Sequence, residues 1–221
     1  MKLLAEALTK FACGLILVCL LIFLPAGTLE YTYGWLLIGL LFVPMLIAGV
    51  VMLAKAPAFL KKRLDAKEKQ GAQKGVVALS GMMFIAGFVV AGLDFRFGWS
   101  AVPTWVIITA SVLFLISYAL YAEVMRENAY LSRTVKVEQG QKVVDAGLYG
   151  IVRHPMYAVT ILLFLMIPLV LGSWYALIVF VFYPAVIVIR LKDEEKLLTR
   201  ELSGYAAYKE KVKYRMIPFI W

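Results

Sequence analysis

The apolar positions of this chain fall in long blocks with little internal periodicity. Residues 11–29, 33–53, 75–93 and 102–122 are four such blocks. Each is long enough, at about 1.5 Å per helical residue, to cross about 30 Å of hydrocarbon. Two more, 155–171 and 173–189, are separated only by Gly172 and read as a tight helical hairpin with arms of about 25 Å. Pro168 and Pro184 are expected to kink those arms, each freeing a backbone carbonyl. The pattern predicts an all-α polytopic membrane protein of about six transmembrane helices, followed by a charged, helical tail up to about Lys213. It divides the chain into residues 1–122, four spans with a basic linker at 54–74, and residues 123–221, made of a polar loop, the hairpin 155–189 and the tail.

The intervals between blocks refine this picture. Lys2 and Lys10 ahead of the first block, with small residues near Ala26–Thr28, fit a signal peptide. Leu24-Pro25 followed by Glu30 fits a helix end and a short turn equally well. The linker 54–74 holds seven cations and is expected to carry an interfacial helix, with Ala58, Phe59 and Leu64 on the bilayer surface. Gly87 and Ala91 have the small-residue spacing that permits close helix contact. Asp94–Ser100 reads as a short loop whose Phe95, Phe97 and Trp99 lie at headgroup level. Thr134–Val137 reads as a short extended piece, and the apolar end Met216–Trp221 is expected to return to the membrane surface.

Composition sharpens the class. The chain is 63% hydrophobic, against about 45–50% for a soluble domain, and a water-soluble fold could not bury that much apolar surface. A net charge of +9 would suggest nucleic acid in a soluble protein. Here it marks topology, and no nucleic-acid partner is expected. With the N-terminus, 54–74, 123–154 and the C-terminus on one side, 22 of 23 lysines and arginines share that side and only Arg96 lies opposite. This predicts a multi-pass protein with both termini cytoplasmic. It also brings the two ends of the hairpin to that cytoplasmic face, as neighbours. Cys13 and Cys19 lie six apart on different helix faces and offer no disulfide frame or metal pair. One histidine excludes a histidine-rich metal centre, and no metal site is expected.

The candidate chemistry sits at those hairpin ends. Residues 139–157 form a polar island holding the single histidine, in Arg153-His154-Pro155. The residue before proline avoids helical geometry, so His154 is expected to cap the next helix with its ring near the free N–H groups, a setting that suits an anionic ligand. A histidine that only closes the cap is the simpler reading. At the other end, Arg190 and Glu194 are i and i+4 and can pair. An ordinary solvated ion pair and a snorkelling Arg190 compete with a functional site at the membrane boundary. Tyr149, Tyr157, Tyr205, Tyr208 and Tyr214 read as interfacial belt residues or as packing for an adenine ring or a sulfonium.

Two motifs carry a resemblance. Gly147-Leu-Tyr-Gly-Ile-Val-Arg-His-Pro-Met-Tyr157 resembles the G-x-Y-x-x-x-R-H-P-x-Y segment of the isoprenylcysteine carboxyl methyltransferase family. Glu194-Glu195-x-x-Leu198, then Gly204-Tyr205-x-x-Tyr208-x-x-x-Val212 and Pro218, is similar to that family's tail. The resemblance covers about residues 135–221, with Ala158 in place of a common glycine and Leu202-Ser203-Gly204 in place of an aromatic-glycine pair. It implies an integral membrane enzyme that takes S-adenosyl-L-methionine from the cytosol and methyl-esterifies a carboxylate on a lipophilic substrate entering from the bilayer. By motif position, Gln141, Lys142, Val143, Val144, Tyr149, His154, Pro155, Met156, Tyr157 and Glu194 would contact the cofactor, in a pocket closed by the tail. Arg190 would face the substrate. Similar segments occur in phospholipid N-methyltransferases and, more loosely, in NADPH-dependent sterol reductases, and those alternatives stay open. A sulfonium methyl is already activated and a carboxylate already ionised, so esterification asks for alignment and exclusion of water rather than a strong base. Arg190 would repel a protonated amine, which favours the carboxylate.

Overall fold

The apolar blocks fold into long helices, and most helices run past the blocks that predict them. The computed structural model describes residues 2–65, 71–132, 134 and 137–221. Helix α1 spans Lys2–Ala26 rather than beginning at residue 11. Lys10 Nζ lies 2.6 Å from Glu6 Oε1, an i,i+4 pair that lets the helix continue beyond its greasy stretch. Helix α2 is Thr32–Lys55, α3 is Pro57–Leu64, α4 is Gly71–Phe97 and α5 is Thr104–Glu127. Asp94–Phe97, expected in a loop, therefore form the last turn of α4. The hairpin comprises α6, Pro155–Val170, then α7, Trp174–Phe180, and α8, Tyr183–Glu201, with α9, Tyr205–Lys211, in the tail.

The second hairpin arm is thus broken rather than kinked. Pro184 sits in the first turn of α8, where its missing N–H costs nothing, and α7 ends just before it. Gly172 makes the hairpin turn with φ +73°, as only glycine readily does. The tail likewise divides at 202–204, with Gly204 at φ +85° before α9. Residues 135 and 136 lie outside the described residues, so the extended piece at 134–137 is not described.

Among the described residues, five helices are long and apolar enough to cross a membrane: Lys2–Ala26, Thr32–Lys55, Gln73–Phe97, Thr104–Glu127 and the joined Trp174–Glu201. The sixth apolar helix, Pro155–Val170, is shorter and lies in the middle. It packs along α5 and touches α2, α4, α7 and α8. Outside it, Leu17, Leu20, Val43, Ile47, Val50, Met82, Ile108 and Val112 turn apolar side chains outward, a belt that a lipid environment satisfies and water does not. The chain is an integral membrane protein. Helix α4 approaches its neighbours through small residues: a Cβ on Gly87 would lie 2.3 Å from the Phe180 ring, and one on Gly92 would lie 2.5 Å from the Ile22 carbonyl oxygen.

The two ends of the bundle differ in chemistry. One gathers the turns at 27–31, 98–103 and 171–173. There Asp94 is buried, accepting hydrogen bonds from the Ser100 N–H and the hydroxyls of Ser100 and Ser173, while the Tyr31 hydroxyl donates to the Leu171 carbonyl. Trp99, Trp105 and Trp174 are exposed at this end. The other end holds α3, the loop after α5 and the tail. Lys10 belongs to it, because its ammonium donates to the Leu64 carbonyl at 2.8 Å. Of the α3 residues expected on the bilayer surface, Phe59 packs instead against Val124, Leu131 and Tyr149 under the loop, while Ala58 is exposed; Leu60, beside it, is buried. The tail's apolar end divides: Met216 is buried in the main core with Trp221 packed against it, while Ile217, Phe219 and Ile220 are exposed, as an end lying at the membrane surface would have them.

Candidate functional site

Polar groups of the hairpin ends meet in one place because the tail folds back across them. The backbone N–H groups of Arg153 and His154 donate to the carbonyls of Tyr214 (2.9 Å) and Arg215 (2.8 Å). Arg153 Nη1 adds bonds to the carbonyls of Val212 (2.8 Å) and Lys213 (3.1 Å). The Tyr208 hydroxyl donates to the Tyr149 carbonyl at 2.7 Å, and Lys211 Nζ lies 2.6 Å from Asp145 Oδ2. That exposed ion pair holds the Asp145 carboxyl below its ordinary range, mainly through the Lys211 hydrogen bond.

The adjacent glutamates of α8 do different jobs, since successive helical residues point about 100° apart. Glu195 is buried, with Oε1 2.7 Å from Arg153 Nε and Oε2 3.0 Å from Arg215 Nε. This carboxylate ties the hairpin's start to the tail. Arg215 also lies over the Trp221 ring, 5.1 Å from its centroid. Glu194 instead lines the cavity beside Arg190. The Tyr157 hydroxyl stands between those two: Arg190 Nε donates to it at 3.0 Å, and it donates to Glu194 Oε2. The expected Arg190–Glu194 pairing is therefore mediated by a phenol from the facing helix.

His154 occupies the cap position of α6, with Pro155 in the first turn as the sequence predicts, but its ring makes no cap hydrogen bond. It turns to the tail and α8 instead: Nε2 is 3.3 Å from Glu195 Oε1 and 3.5 Å from the Tyr205 hydroxyl. Its ring lies 5.7 Å from that of Tyr157, nearly parallel. The ring thus faces the Glu195 carboxylate, which Arg153 and Arg215 also hold, rather than the free N–H groups at the helix end.

These groups border an open cavity of about 820 Å³, counting the part that opens to solvent. Gln141, Lys142, Val143, Val144, Tyr149, His154, Met156, Tyr157, Arg190 and Glu194 all line it, while Pro155 is buried beneath and is not among the lining residues. The tail contributes Tyr205 and Tyr208, as their shared helical face suggests. Burial pushes the Tyr149 phenol up to about 12 and raises those of Tyr205 and Tyr208 well above the ordinary value, so all three act as neutral hydroxyls. Sequence reasoning misses the opposite wall: Asn128, Tyr130, Leu131, Ser132 and Thr134 come from the loop after α5. Asn128 Nδ2 donates to the Tyr149 hydroxyl at 3.0 Å. It misses Arg215 and the clamp on Glu195 as well. Arg153 in the motif is the one signal for that clamp; nothing in Ser132 or Thr134 marks them.

The Gly147 of the first motif has a local reason. Its φ is +59°, and a Cβ there would fall 1.8 Å from a Glu127 carboxylate oxygen, whose side chain accepts the Leu148 N–H. The polar groups around the cavity fit a nucleoside cofactor that carries an ammonium: the Glu194 carboxylate for the ammonium, and phenols, amides and hydroxyls for a ribose and a base. Among the described residues no group of histidine, cysteine and carboxylate ligands could hold a metal ion.

Residues 105–200 match the model of the Isoprenylcysteine carboxyl methyltransferase (ICMT) family. The "Uncharacterized protein YpbQ" of Bacillus subtilis (strain 168) is 30% identical over 96 residues, 43% of this chain and 57% of the relative. The chain thus spans a little over half the length of the curated relative it matches.

Proposed function

We propose, from the match of residues 105–200 to the isoprenylcysteine carboxyl methyltransferase family, that the chain is an S-adenosyl-L-methionine-dependent membrane methyltransferase acting on the carboxylate of a lipophilic, isoprenylcysteine-like substrate. The observation that carries the reading is the Arg190–Tyr157–Glu194 arrangement, one cation and one carboxylate bridged by a phenol on the wall of a cavity in an apolar bundle. The cofactor supplies a methyl group already activated on a sulfonium. Glu194 and the Tyr205 and Tyr208 phenols hold its amino-acid and nucleoside parts, and the tail over the cavity limits water. Arg190 binds the acceptor carboxylate by a charge-assisted pair. Tyr157 accepts from Arg190 and donates to Glu194, fixing both in the orientation that transfer needs. The basic end of the bundle lies on the cytoplasmic side, where the cofactor is dissolved, and both termini share it. A protonated phospholipid amine would meet Arg190 unfavourably.

The test is transfer of radiolabelled methyl to an N-acetylated S-prenylcysteine by the purified protein. A methyl ester releases its label as methanol in alkali, whereas an N-methyl group does not. Alkali-labile product, lost in Arg190→Ala, is expected. Alkali-stable product, or full activity in Arg190→Ala, contradicts the carboxylate reading.

A further inference from the structure

Helix α3 lies outside the residues that match the family, yet it is fastened to the cavity from beneath. Of its three cations only Lys61 faces outward; Lys62 and Arg63 are turned inward. Arg63 donates to the Tyr121 hydroxyl of α5 and lies over the same ring. Lys62 Nζ makes two bonds to the loop after α5, one to the Ala129 carbonyl at 3.1 Å and one to Glu138 Oε2 at 2.7 Å. A single ammonium therefore bonds to both Ala129 and Glu138.

Both of those residues adjoin the cavity wall. Ala129 follows Asn128, which lines the cavity and holds the Tyr149 hydroxyl. Glu138 begins the turn through Gly140, at φ +75°, whose partners are reciprocal: the Gln141 N–H donates to the Glu138 carbonyl at 3.0 Å, and the Glu138 N–H donates to Gln141 Oε1 at 2.9 Å. Gln141 to Val144 then enter the cavity. Phe59, one turn before Lys62, packs in the cluster of Leu131, Val144, Tyr149 and Met156, all four of which line it. Lys62 and Glu138 are each about three-quarters buried, so their pair is screened less than a surface one.

We infer that α3 is part of the cofactor site, with Lys62 as a positioning residue that holds Ala129 and Glu138 and so sets the wall formed by Asn128 and Gln141–Val144. The inference rests on the cofactor reading above. Loops pinned at both ends lose less entropy when a ligand orders them, so the pin is expressed mainly in ligand affinity.

The experiment is S-adenosylhomocysteine titration of the purified full chain, together with amide hydrogen exchange over 128–144 without ligand. Lys62→Glu sets two carboxylates against each other. It is expected to weaken binding about tenfold and to speed exchange in the loop. Adding Glu138→Lys restores opposite charges and is expected to return affinity to within about threefold of wild type, while the exposed-site variant Lys61→Glu matches wild type. Wild-type affinity and exchange in Lys62→Glu overturn the inference, as does a double variant no better than the single one. A wild-type chain that binds no S-adenosylhomocysteine contradicts the cofactor reading instead, and the exchange rates then still decide whether Lys62 holds the loop.

Discussion

Two neighbouring glutamates of α8 face different surroundings, Glu195 the buried clamp and Glu194 the cavity. Glu195 is the buried carboxylate between Arg153 and Arg215, and removing its charge leaves a guanidinium buried without its partner. Glu195→Gln is expected to lose about 3 kcal/mol in stability and to expose the chain beyond Leu202 to protease, measured by denaturation in detergent and limited proteolysis. Glu194→Gln, at the cavity, is expected to leave stability within about 0.5 kcal/mol and to weaken the cofactor instead. The tyrosines make a pH prediction. Their raised pKa values favour the protonated fold, a contribution fully present below the ordinary phenol value of about 10 and lost as pH rises through about 12 for Tyr149. Ligand binding should therefore show no loss from phenol ionisation between about pH 6 and 9. The Arg-His-Pro motif points to the right neighbourhood for His154 but the wrong partner. A cap is local and readable, whereas the Glu195 carboxylate that takes the ring arrives from about forty residues away.

At the scale of elements, apolar length makes the spans legible and charge pairing blurs their ends. Lys2, Glu6 and Lys10 read as a polar lead, yet they extend α1, because an ion pair on a helix face is indifferent to the hydropathy of the next turns. The role of α3 is hidden for the opposite reason. Its cations look like a basic membrane-surface cluster, and only the position of the loop after α5 turns Lys62 inward. The Gly87 and Ala91 spacing is readable as a contact, and Gly92 extends it: α4 meets the backbone of α1 there. Gly92→Val is expected to destabilise the bundle by about 2 kcal/mol, read as an earlier thermal transition in detergent. Gly81→Val, where a Cβ meets nothing within 4 Å, serves as the control and should shift it little.

For the molecule as a whole, the charge asymmetry along the sequence becomes a division between two ends. Lys10, α3, the loop after α5 and the tail share one end, and the Asp94 clasp with its aromatic neighbours forms the other. If the basic end faces the cytosol, single cysteines placed at Lys61 and at Thr28 in a chain lacking Cys13 and Cys19 should react with an impermeant maleimide from opposite sides of sealed vesicles. Labelling of both from one side contradicts the topology. Both halves of the cavity's hairpin wall are legible in the sequence, since motif residues lie at the hairpin's two ends. The wall at 128–134 is not, because a polar loop carries no periodicity and its place depends on α3. The proposed function has this cavity hold S-adenosyl-L-methionine through Glu194. Titration of the purified protein with S-adenosylhomocysteine, beside Glu194→Gln, tests it most directly. Saturable one-to-one binding, weakened at least about tenfold in the variant, is the predicted result; no binding by the wild-type protein, or equal affinity in the two, would contradict it.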